Sequence, residues 1–85
     1  MKTFQYVIQD ELGIHARPAG MVARIAKKYE STVEIGKGDK NVLASQLLML
    51  MSLGVKKGDE VSVSIEGADE EEAYRELKAF FEEKL

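Results

Sequence analysis

The chain has 85 residues, enough for one hydrophobic core and no second one, and it reads as a single domain over 1–85. With 45% hydrophobic and 32% charged residues it is globular rather than disordered, and the lack of cysteine excludes a disulfide framework, a thiol nucleophile and a cysteine-ligated zinc. The net charge of −3 argues against nucleic-acid binding, and the absence of any long apolar run argues against a signal peptide or membrane span, so a cytoplasmic protein is expected.

Residues 3–9 alternate, with Phe4, Tyr6 and Ile8 on one side and Thr3, Gln5 and Gln9 on the other. That pattern predicts a half-buried strand, with Val7 as the exception. Residues 10–13 read as a loop. The period then changes: Ala19, Val22, Ala23, Ala26 and Tyr29 lie three or four apart and form one apolar stripe of a helix over 16–29. Pro18 falls in its first turn, where a missing N–H is no loss. The helix therefore begins directly after His15.

Val33 and Ile35 face one way in a short strand over 32–35, residues 36–39 form a glycine-containing turn, and 41–43 complete a hairpin. Residues 46–53 are apolar nearly all round and predict a short helix ended by Gly54. Val61, Val63 and Ile65 alternate inward along a strand over 59–65. Asp69 and Glu72 resemble a capping box for a last helix, whose buried stripe is Ala73, Leu77, Phe80 and Phe81. The order is βαββαβα. Its simplest packing is an α+β open-faced sandwich, a four-stranded antiparallel sheet with three helices on one face and water on the other. That architecture fixes no function.

His15 is the only histidine, and it stands at the mouth of a helix. Free N–H groups and the positive dipole end there favour an attached anion. Arg17 can add a charge-assisted contact to the same anion, and Gly13 lets the loop turn the ring outward. Arg17, Arg24, Lys27 and Lys28 make this segment basic, whereas acids gather at 69–72 and at Glu82 and Glu83. One histidine without cysteine or a carboxylate cluster is a poor metal site, and so small a chain has little room for a hydrolase pocket.

The run Gly13-Ile14-His15-Ala16-Arg17-Pro18-Ala19 is similar to the active-site signature of the HPr family of histidine phosphocarriers. Residues 51–55, 57–59 and 66–70 also look like family positions, with no gap needed between them. The resemblance implies a protein that accepts a phosphoryl group on His15, through Nδ1, from phosphorylated Enzyme I. It then donates the group to IIA domains of sugar permeases. It is a stoichiometric carrier rather than an enzyme, and it needs no cofactor or metal. The resemblance gives Arg17 and the backbone N–H groups of Ala16 and Arg17 the phosphate. It gives Leu47, Leu48 and Met51, with Gly20, Arg24 and Lys27, the partner surface; methionine suits a surface that meets several partners. Transcriptional regulators are further candidate partners, nucleic acid and membrane are not, and a monomer is expected. In many Gram-positive relatives a regulatory serine precedes the short helix; Gln46 stands at that position here, which leaves Ser45 as the candidate for such control or as a simple helix cap. The alternative reading is a regulatory binding module that signals through phosphorylated His15.

Overall fold

Alternating residues build a sheet with one apolar and one wet face, and the helices cover the apolar one. A computed structural model describes residues 1–85. Its elements are β1 (Lys2–Val7), α1 (Ala16–Lys28), β2 (Thr32–Lys37), β3 (Lys40–Leu43), α2 (Leu47–Ser52), β4 (Glu60–Glu66) and α3 (Glu70–Lys84). The strands lie in the order β1-β4-β2-β3 and every neighbouring pair is antiparallel. This is the expected open-faced α+β sandwich.

β4 is central, so its inward residues Val61, Val63 and Ile65 are fully buried. Register places Phe4 opposite Val63 and Tyr6 opposite Val61 on one side, and Val33 opposite Ile65 and Ile35 opposite Val63 on the other. Cross-strand apolar pairs of this kind are what stabilise a sheet. Against them α1 buries Ala19, Val22, Ala23 and Ala26, and α3 buries Ala73, Leu77 and Phe81. The Phe81 ring meets Phe4 and Tyr6 edge-on, with centroids 5.5 and 5.8 Å away. The buried stripe of α1 packs that helix against α2 and α3, which sets the position of its N-terminus and of His15.

Three local expectations need correction. The hairpin turn is only Gly38-Asp39, because β2 continues through Gly36 to Lys37 and Gly36 pairs with both Asn41 and Ser62. Gly38, at φ 64, takes the left-handed first position of the two-residue turn. Phe80 is half-buried rather than part of the sealed core, since it sits near the open end of α3.

The capping box at α3 does not form. Asp69 occupies the N-cap but makes no side-chain cap bond. Its carboxylate instead accepts the N–H groups of Glu30 and Ser31, each at 2.9 Å, and the Ser31 hydroxyl at 2.5 Å. Two backbone donors in a loop with no strand partner outcompete the helix end for this charge. Glu70 takes over locally and accepts the Gly67 N–H at 3.1 Å. Gly67 permits the close approach, because a Cβ there would lie 2.6 Å from Ser31 Cα.

The Ser31 hydroxyl, followed by the Glu30 and Ser31 N–H groups, holds the Asp69 carboxyl below its ordinary range. A depressed carboxylate contributes stability above its unfolded pKa of about 4, and that contribution is lost as pH falls through the folded value. Asp69→Asn is therefore expected to lower the urea midpoint at pH 7, with a gap to the parent that closes on acidification toward about pH 2. A gap of equal size at both pH values would show that the charge is not the source.

Candidate functional site

The loop before His15 is anchored from three directions. The N–H groups of Gln9 and Asp10 donate to the Leu85 backbone oxygen at 2.5 and 2.8 Å. The Asp10 carboxylate accepts the Leu12 N–H at 2.8 Å, a side-chain turn that folds the loop back on itself. Gly13, at φ 68, donates its N–H to the Asp10 carbonyl at 2.9 Å, and Ile14 donates to the Val55 carbonyl at 3.2 Å. A Cβ on Gly13 would run into that Val55 carbonyl. The chain therefore reaches His15 along the segment before β4, with Ile14 buried as an anchor.

His15 is the N-cap of α1, in extended conformation at φ −96 and ψ −176. Its carbonyl accepts the Ala19 N–H at 2.9 Å, and its side chain makes no cap bond. The ring stays available for chemistry while the backbone starts the helix. Ala16 and Arg17 follow in the first turn, where N–H groups lack intrahelical partners. Pro18 contributes no donor.

The His15 side chain, expected to turn outward, is half-buried. It lies in a shallow open hollow of about 310 Å³ with Asp10, Arg17, Pro18, Met21, Phe80 and Lys84. Arg17 is exposed and has no acidic partner. Sequence reasoning missed Asp10, Met21, Phe80 and Lys84. Met21 carried a signal, since it falls four residues after Arg17 on the first helix. Phe80 and Lys84 carried none, because they reach the hollow from the far end of the chain.

The residues expected to form a partner surface lie on α1 and α2, two helices that pack against each other. Arg24 and Lys27 are exposed on α1 and make no ion pair. Gly20 is half-buried, with nothing within 4 Å of where a Cβ would stand, and leaves a flat place on the helix. On α2 only Leu50 is buried. Leu47 and Met51 are each about two-fifths exposed, and Leu48 is 79% exposed. Met49 belongs to the same uncovered run at 45% and was not singled out from sequence. A helix this short and this apolar normally hides more of itself, so the uncovered face calls for an occupant.

Ser45 does not cap α2. The N-cap is Gln46, without a side-chain cap bond, and Ser45 is half-buried in a separate cleft that it shares with Lys27. No helix is long and apolar enough to cross a membrane.

The model of the PTS HPr component phosphorylation site matches residues 2–83. The phosphocarrier protein HPr of Mycoplasma pneumoniae is 42% identical over 84 residues, covering 96% of this chain and 94% of its own length. HPr-C-His from Thermoanaerobacter tengcongensis superposes with a TM-score of 0.91 at 40% identity, covering 96% of this chain and 92% of that one. The catabolite repression protein Crh of Bacillus subtilis, whose structure is described as a swapped dimer, superposes with a TM-score of 0.78 at 34% identity, covering 100% and 98%.

Proposed function

Given that this chain belongs to the HPr family of the phosphotransferase system, we propose that it carries a phosphoryl group on His15 from phosphorylated Enzyme I to IIA domains of sugar permeases. The observation that carries this reading is the placement of the only histidine. It starts a helix, its side chain makes no cap bond, and it shares an open hollow with a cation that has no counter-ion.

The reaction is an exchange between two imidazoles. A ring nitrogen of His15, Nδ1 in this proposal, gives its lone pair to phosphorus. The N–P bond to the donor ring breaks, and the donor nitrogen keeps that electron pair. The proton on the far nitrogen of each ring stays in place, so charge and atoms balance. Little covalent work is left to the protein, and position and electrostatics decide the rate. The first-turn N–H groups of Ala16 and Arg17 and the positive end of α1 meet the negative oxygens. The Arg17 guanidinium adds a planar fork of donors. An open hollow suits this task, because both the donor and the acceptor of the phosphoryl group are proteins that must reach the ring.

The test is the intact mass of this protein after incubation with Enzyme I, magnesium and phosphoenolpyruvate. A gain of one phosphoryl group, labile in acid and stable in base, is expected. No gain beside an active, compatible Enzyme I would overturn the reading.

Enzyme I and IIA domains dock, in this proposal, on the apolar face of α2 and the basic face of α1. Leu47, Leu48 and Met51 supply the apolar contact, and Gly20, Arg24 and Lys27 border it. Burying a carboxylate against an apolar partner is costly. Leu48→Asp combined with Met51→Asp is expected to raise the KM for this protein as Enzyme I substrate by about tenfold or more, with kcat within about twofold of the parent. A KM equal to the parent's would place docking elsewhere.

A cytoplasmic monomer is the working form in this proposal, although the related Crh of Bacillus subtilis is described as a swapped dimer. Gln46 cannot be phosphorylated, which leaves Ser45, half-buried in a cleft that it shares with Lys27, as the candidate regulatory residue of this proposal. The likeness to Crh, which is named for catabolite repression, favours a regulatory second reading, and in this proposal such a module would signal through phosphorylated His15. The two part at the acceptor, because only the carrier passes its phosphate to a sugar-permease IIA domain.

A further inference from the structure

We propose that Lys84 is a second cation for the phosphoryl group on His15, reaching it from the C-terminal turn of α3. The inference rests on the carrier reading above and adds a residue to it. Lys84 lines the same hollow as His15 and Arg17. On α3 it stands one turn beyond Phe80, whose side chain lines that hollow too, so one side of the helix end is turned toward the histidine.

The charges in the hollow are two cations and one carboxylate. Neither Arg17 nor Lys84 has an acidic partner, although Lys2, Lys28, Lys37, Lys57 and Arg75 all do. Asp10, the one acid present, is turned to the Leu12 N–H. The Leu85 backbone oxygen is likewise taken up by the N–H groups of Gln9 and Asp10. An anion on His15 thus meets two uncommitted positive side chains from two different helices. A lysine in the last turn of a helix also suits the negative dipole end. That service is available anywhere on the turn, whereas a place in the hollow is not. Lys84 acts on the dianion as a flexible point charge, and Arg17 acts as a fixed fork.

A nearby cation favours the fully ionised phosphoryl group and lowers its second pKa. The experiment loads the parent, Lys84→Gln, Lys84→Arg and Lys78→Gln proteins with Enzyme I and phosphoenolpyruvate, then titrates the phosphohistidine by 31P NMR. Lys78 also lies on α3, beside the Tyr74 hydroxyl and outside the hollow, so it controls for net charge. Lys84→Gln is expected to raise the phosphoryl pKa by about 0.4 units at low salt, an effect that shrinks near 1 M salt. Lys84→Arg is expected to follow the parent, and Lys78→Gln to leave the titration unmoved. A loaded Lys84→Gln protein that titrates like the parent, or like Lys78→Gln, overturns the assignment of Lys84 and leaves the carrier reading intact. A parent that takes no phosphoryl group overturns both.

Discussion

His15→Ala is expected to abolish phosphoryl acceptance entirely while leaving the fold in place. In the proposed carrier the loss is total, because the phosphoryl group would be held by a covalent bond to the ring and no neighbour can substitute. The remaining polar side chains in the hollow are a carboxylate, a guanidinium and an ammonium. A charged lysine or arginine has no free lone pair, and Asp10 is engaged with the Leu12 N–H. Stability should change little because the helix is started by the His15 carbonyl, which alanine retains, and the imidazole makes no cap bond. A half-buried side chain without a hydrogen-bonded role belongs with substitutions that shift stability by about 0.5 kcal/mol or so. Intact mass after the Enzyme I reaction reads the first effect, and urea unfolding reads the second. A variant that still gains an acid-labile phosphate would move the chemistry to another residue. A variant destabilised by more than about 2 kcal/mol would make the ring part of the structure.

Local chemistry explains what the sequence made legible. Every strand with clean alternation was visible, since a period of two sorts residues onto the two faces of a sheet. Val61, Val63 and Ile65 are the clearest case, and all are fully buried. The first helix was equally clear, because a stripe of small and branched residues begins right after a proline suited to the first turn. His15 stood out as the only residue of its kind at a helix start, and the neighbouring Arg17 gave it a chemical purpose.

What stayed hidden depends on pairs far apart in the chain. Asp69 carried a capping pattern, yet its carboxylate is held by Glu30 and Ser31, 39 and 38 residues away. A local pattern cannot reveal that a distant loop offers better donors. Gly36 looked like turn chemistry, but its small size serves a close pairing with Asn41, whose side-chain oxygen fills the space of a Cβ. Phe80 has the right spacing for the core stripe, and it misses full burial only because the helix end opens onto the His15 hollow. The same long-range closure brings Lys84 to the site. The hollow is built from both ends of the chain, and periodicity speaks only to neighbours.

Gly13→Ala is expected to unfold more easily and to displace the His15 ring, and the two effects have one cause. Gly13 adopts φ 68, where an L side chain costs about 1–2 kcal/mol. The new methyl group also meets the Val55 carbonyl and lies 2.8 Å from Lys56 Cα, both of them backbone atoms with little freedom to yield. The Val55 carbonyl is the acceptor for Ile14, so moving it loosens the bond next to His15. Together these put the loss of stability at about 3 kcal/mol, read from the urea midpoint at unchanged slope. Phosphoryl transfer from Enzyme I should slow by about tenfold or more, because a shift of about 1 Å in a positioned nucleophile is enough for such a loss. Gly54→Ala separates the two causes. Gly54 shares the positive φ, at 64, but has nothing within 4 Å of its Cβ. It should show the conformational cost without the displacement, so transfer there stays near the parent's rate. Equal slowing in both variants would mean that backbone strain, and not the approach of the loop to Val55, sets the position of His15.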